Sequence, residues 1–160
     1  MMRIWCLGAT LAVAAWAPPA EAYVLNYATR VGNYTSDSTS LIDVPIDSLG
    51  DVKLGFAADV GDLIQITYNA ECGVLGPPHS RVSIEIVIDG QEADPASGTG
   101  DAFCTAVSST DYAWTGAVRE SFYTVATNGP NGEHTVEVRA IGLGGANKWW
   151  LGDSSLIVGY

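Results

Sequence analysis

The chain is 160 residues long, with 18 acidic against 7 basic side chains and a net charge of −11 at neutral pH. That length supports one domain with its own core. An acid excess of this size argues against nucleic acid and anionic membrane as partners, since both would repel it.

Met1-Met2-Arg3 is a short basic start, Ile4 to Ala17 is apolar, and Pro18 to Ala22 ends in a small-x-small site. This is the anatomy of a secretory signal peptide cleaved after Ala22. The apolar run falls short of the roughly 20 residues that a spanning helix needs, so no membrane insertion is expected after cleavage. Trp5, Cys6 and Trp16 leave with the segment. Residues 23–160 then form the domain, which keeps the net charge because Arg3 and Glu21 depart together. The expected location is secreted, periplasmic or cell-surface.

Tyr23 to Val31 reads as a first strand, and Asn33-Tyr34-Thr35 matches a glycosylation acceptor. Ser36 to Ser40 is a polar connector. Leu41 to Ile46 is a short strand broken by Pro45, which cannot donate to a ladder and so belongs at a sheet edge. Val52 to Ala58 is a further strand with Leu54 and Phe56 on its buried side.

The most informative stretch is Leu63 to Cys104. Ile64, Ile66, Tyr68, Ala70 and Cys72 alternate with Gln65, Thr67, Asn69 and Glu71; Val82, Ile84, Ile86 and Ile88 alternate with Arg81, Ser83 and Glu85. Side chains alternate across a strand, so each run has one dry and one wet face. A helix would scatter the isoleucines around its circumference. Gly73 to Ser80 is a corner containing Gly76-Pro77-Pro78, and Asp89-Gly90 is a turn signature leading into a polar excursion from Gln91 to Gly100. Cys72 and Cys104 remain after export into an oxidising compartment, and a disulfide between them is expected.

Ala106 to Ala117 is a loop carrying Tyr112 and Trp114. Arg119 to Thr127 and His134 to Ile141 read as a hairpin joined by Asn128-Gly129-Pro130-Asn131-Gly132, with Val136, Val138 and Ala140 facing the core. Lys148 to Leu151 and Ser154 to Tyr160 are one broken strand or two short ones. The total is about eight or nine strands with no amphipathic helix. The expected fold is a single all-β antiparallel sandwich, jelly-roll-like or immunoglobulin-like, with one disulfide.

Catalytic signatures are missing. The two histidines, His79 and His134, sit in a corner and at a strand start, and no Gly-x-Ser-x-Gly elbow or metal-ligand spacing is present. The chain is therefore read as non-catalytic. Asp89, Glu92 and Asp94 crowd one loop and are the candidate ligands for a calcium ion; otherwise no cofactor is expected. The aromatic residues are the more suggestive feature. One of Trp149 and Trp150 must face the core and the other solvent. An outward tryptophan beside Tyr112 and Trp114 would make a flat platform for a sugar ring or a hot spot for a protein partner. Capping of the sandwich ends is the alternative role for all three tryptophans.

The alternation of Leu156, Val158 and Tyr160 at the C-terminus resembles the last strand of chaperone–usher pilins. That resemblance implies a pilus or appendage subunit assembling by strand exchange. Ala70-Glu71-Cys72, Val87-Ile88-Asp89-Gly90, Asp101-Ala102-Phe103-Cys104 and Leu151 to Val158 together resemble exported bacterial β-sandwich proteins that are themselves uncharacterised. This second resemblance implies the fold and the disulfide, and no activity. The expected role is a binding or structural surface module for a protein or glycan ligand.

Overall fold

The computed structural model describes residues 23–96 and 101–160. The signal segment expected at residues 1–22 lies outside them, as do residues 97–100 of the polar excursion. Eleven strands follow in order: β1 (Val24–Arg30), β2 (Tyr34–Ser36), β3 (Ile42–Asp43), β4 (Lys53–Ala57), β5 (Leu63–Leu75), β6 (Arg81–Ile88), β7 (Gln91–Glu92), β8 (Cys104–Thr105), β9 (Thr115–Thr124), β10 (Glu133–Leu143) and β11 (Lys148–Gly159). The described residues contain no α-helix, only a 3₁₀ turn at Pro130–Gly132.

The strands form two antiparallel sheets. The first has the order β1-β11-β5-β9, with β2 continuing the β1 edge along β11. The second is centred on β10 and β6; β3 and β4 flank β10, while β7 and β8 flank β6. Three of the four sheet edges are thus each shared by two short strands, and this is why the strand count exceeds the eight or nine expected. Pro45 and the turn behind it break one of these edges. There the Asp47 carboxylate accepts the backbone N–H groups of Leu49, Gly50 and Asp51, each at 2.9 Å, a local bonding pattern that competes with the ladder.

Counting shared edges once leaves eight positions, and their pairing is nested. The first pairs with the last (β1 and β2 with β11), the second with the seventh (β3 and β4 with β10), the third with the sixth (β5 with β9) and the fourth with the fifth (β6 with β7 and β8). A long hairpin rolled up in this way is a jelly roll. The immunoglobulin-like alternative does not apply. The hairpin expected between residues 119–127 and 134–141 does not form either. β9 pairs with β5 in one sheet, β10 with β6 in the other, and the connection crosses the top of the sandwich. A glycine-rich link between two alternating strands satisfies both arrangements, and the nested pairing selects the crossover.

The core lies between the sheets. The inward residues of β5 (Ile64, Ile66, Tyr68, Ala70, Cys72, Val74) meet those of β6 (Val82, Ile84, Ile86, Ile88) and β10 (Val136, Val138, Ala140), all buried. The Cys72–Cys104 disulfide joins β5 to β8 with a Cα separation of 6.1 Å and so bolts one sheet to the other. The open sides are closed by backbone. Ala93 donates to Ile86 in the second sheet at 2.9 Å, while Asp94 exchanges two hydrogen bonds with Phe122 in the first. On the opposite side a side chain closes the gap: Asn26 Nδ2 donates to the Gly55 carbonyl at 2.7 Å.

The last strand is continuous but bulged. Leu151 faces Cys72 and Ser154 faces Ala70, so Gly152 and Asp153 together oppose Glu71. This extra residue reverses the alternation, which lets Trp149 and Leu151 before it and Leu156 and Val158 after it all point inward.

Candidate functional site

Alternation on β11 separates the tryptophan pair. Trp149 is fully buried, its indole N–H donates to the Ser38 carbonyl at 3.2 Å, and its ring meets Tyr34 edge-on at 5.9 Å. Trp150 turns outward opposite Gly73 of β5. A side chain at Gly73 would crowd this spot, because its Cβ would lie 3.2 Å from the Tyr112 ring and 3.7 Å from the Trp150 ring. The bare backbone allows Tyr112 to stack on Trp150, with centroids 4.3 Å apart and planes at 23°. The Lys148 ammonium sits 5.5 Å from the Trp150 centroid, within cation–π range. Trp114 meets Tyr112 at 5.9 Å and 84°. Next to it is the bulge, where a Cβ at Gly152 would come within 2.9 Å of Glu71 and 3.4 Å of the Trp114 ring.

The structure brings Tyr112, Trp114 and Trp150 together and sends Trp149 to the core. It also corrects the expected shape: with one ring perpendicular to the other two, the group is a corner and not a flat platform. Tyr112 and Trp114 are about 40% exposed, so the corner is open to solvent. Sequence reasoning missed Lys148, Glu71 and Asp153 beside it. Their signal was the pair Gly73 and Gly152, glycines in strand interiors where close approach of another group is a usual cause.

The corner is held firmly. Its loop starts at Cys104, bonded to Cys72, and ends at Thr115, the cross-strand neighbour of the same Cys72. Within it Ser108 accepts the N–H groups of Thr110 (3.2 Å) and Asp111 (2.8 Å), and donates to the Asp111 carbonyl at 3.1 Å. The bulge is fixed from beneath by buried Arg30, whose Nη2 donates to the carbonyls of Leu151 at 2.6 Å and Gly152 at 3.1 Å. Asp153 accepts the Gly32 N–H at 2.7 Å.

The calcium candidates are not brought together. Asp89 occupies the left-handed region at φ 50°, and its carboxylate turns back to the buried His134 ring (Nδ1 at 2.7 Å) and to the Thr135 N–H at 2.9 Å. Burial pushes this carboxyl up, but the hydrogen bonds from His134 and Thr135 outweigh it and hold the pKa below its ordinary value. Glu92 lies across from Val87 on the outer face of the second sheet, where its charge adds to the burial that raises the pKa of Glu85. Asp94 is engaged through its backbone at the sandwich edge. Among the described residues no three His, Cys, Asp or Glu side chains converge as a metal site.

That second outer face is a charged lattice. Lys53 and Arg139 flank Glu137 at 2.5 and 2.8 Å, and Arg139 reaches Asp43 at 3.1 Å. Lys53 first, then Arg139, hold the Glu137 carboxyl below its usual range against the effect of burial. A depressed folded pKa stabilises above the unfolded pKa and is lost as pH falls through the folded one. Stability is therefore expected to decline as pH drops below about 4.5, first through Glu137 and then through Asp89. Glu137→Gln is expected to cost about 1 kcal/mol at pH 7, a discounted figure because Lys53 is largely exposed, and less at pH 3. Urea unfolding at the two pH values checks this; an equal cost at both would show that the ion pairs are not responsible.

The outer face of the first sheet is different. Its rows are Gln65 with Phe122, Thr67 with Glu120 and Ile157, and Asn69 with Val118 and Ser155. These rows contain amides, hydroxyls and apolar groups, with Glu120, Glu71 and Asp153 as acids. No basic residue lies among them, Lys148 standing at the aromatic end. Leu156 and Val158 belong to β11, with Tyr160 just past its end, and β11 has β1 and β2 on one side and β5 on the other. The C-terminal strand therefore has no groove beside it for an incoming strand. No protein-family model matches the chain, and no curated protein matches it. Its role is read from these surfaces.

Proposed function

We propose that this protein is an exported, non-catalytic binding module that holds a carbohydrate on the outer face of its first sheet. The observation that carries the reading is the open corner of Tyr112, Trp114 and Trp150, set at the end of a face of hydroxyls, amides and a few carboxylates. Sugar rings present apolar C–H faces to aromatic rings, and their hydroxyl rims to side-chain amides and carboxylates. Tethering of the corner at both ends to Cys72 supports a preformed site, which reduces the ordering cost of binding. The disulfide, and the lack among the described residues of any helix long and apolar enough to cross a membrane, are compatible with export.

Affinity electrophoresis against a panel of soluble polysaccharides tests the proposal. At least one neutral polysaccharide is expected to retard the protein. Trp150→Ala is expected to weaken that binding by about tenfold or more, with thermal stability almost unchanged because the ring is outward. Absence of retardation by every polysaccharide, or full retention by the variant, would overturn the proposal.

A further inference from the structure

Resting on that reading of the face, we infer that the site is a track along β5 and β11 for a long, linear, uncharged glycan, and not a pocket for a single sugar. Two hollows lie in line beyond the aromatic corner. The nearer, of about 380 Å³, is bounded by Asn69, Glu71, Val118, Asp153 and Ser155. The farther, of about 140 Å³, is bounded by Gln65, Thr67, Ile157, Tyr23 and Tyr160. A second aromatic group stands at this far end. Tyr23 and Tyr160 stack with centroids 6.3 Å apart, and Tyr27, 65% exposed, faces outward beside Ile157. Gly73 and Gln65 are eight residues apart on β5, which at the rise of an antiparallel strand places the two aromatic ends about 27 Å apart. That span suits an extended chain of several sugar units, with rings stacked at the ends and hydroxyls bonded between them.

The polar rows between the ends are available to a ligand. Gln65, Thr67, Glu71 and Glu120 make no side-chain hydrogen bond to the described residues, and Asn69 makes one weak bond, to Ser155 at 3.3 Å. Charge sets the ligand class. Between the two aromatic ends lie three carboxylates and no cation, Lys148 standing only at the corner, so along most of its length a uronate or sulfated chain would be repelled and left without partners. A neutral chain donates its hydroxyls to those same carboxylates.

Isothermal titration of the full domain with short and long cello- and xylo-oligosaccharides, and with polygalacturonate, tests the inference. The long members of the neutral series that binds are expected to bind about tenfold or more tightly than the short ones. Tyr27→Ala combined with Gln65→Ala, both on the solvent side of the far end, is expected to abolish that length dependence while leaving short-chain binding intact. Binding of short and long chains with equal affinity would overturn the track and leave the corner as the site. Preference for polygalacturonate would overturn the charge argument. Failure of every sugar would instead remove the carbohydrate reading itself.

Discussion

Replacing Cys72 and Cys104 together by alanine is expected to lower stability by about 3.5–4 kcal/mol, the chain-entropy value for a loop of this length. For a domain of this size that corresponds to a fall in Tm on the order of 10–15 °C. The bond spans 32 residues and is the covalent link between the two sheets. Its loss frees the unfolded chain and also releases one anchor of the loop carrying Tyr112 and Trp114. Weakened sugar binding at a temperature where the variant is still folded is therefore expected alongside the lower Tm. Circular dichroism melting with parallel binding measurements checks both. A Tm unchanged to within a few degrees would contradict the bolting role, and unchanged binding would contradict the anchoring role.

Trp149→Ala is expected to cost about 3–5 kcal/mol, the range for removing a fully buried large aromatic ring. The surroundings are shaped to this ring. A Cβ at Gly142 would lie 2.9 Å from it, and Tyr34 on the short β2 strand packs against its edge. Chemical denaturation of Trp149→Ala and Trp150→Ala side by side gives the sharpest comparison. The first should be severely destabilised and the second nearly native in stability. Similar losses from both would mean that the two neighbours do not point to opposite faces.

The core was legible in the sequence because alternation is a local signal. Ile64 to Val74 show one apolar residue in nearly every two, and burial follows that pattern; in Val82 to Ile88 the same alternation marks the inward residues, although Ser83 and Val87 on the other face are covered as well. The bulge at Gly152 was visible only as a break in the last strand, since nothing local shows which partner residue it opposes. Pairing of distant strands is set by the whole roll, which is why local alternation suggests a hairpin of β9 and β10 that the fold does not form. The opposed facing of Trp149 and Trp150 was legible for the same reason as the core. The angle between Trp114 and Tyr112 was not, because a loop's approach to the sheet depends on where a disulfide and two glycines leave room. The acids of Asp89, Glu92 and Asp94 are close in sequence, yet a left-handed turn and strand alternation direct them apart.

The most direct test of the binding face is a heteronuclear NMR titration of the native protein with a long neutral oligosaccharide. The account predicts shifts at the indole N–H groups of Trp114 and Trp150 and at the amides of Gln65, Thr67 and Asn69, with His134, Glu137 and Arg139 unmoved. Shifts centred on the charged face of the second sheet, or no shifts at saturating sugar, would contradict it.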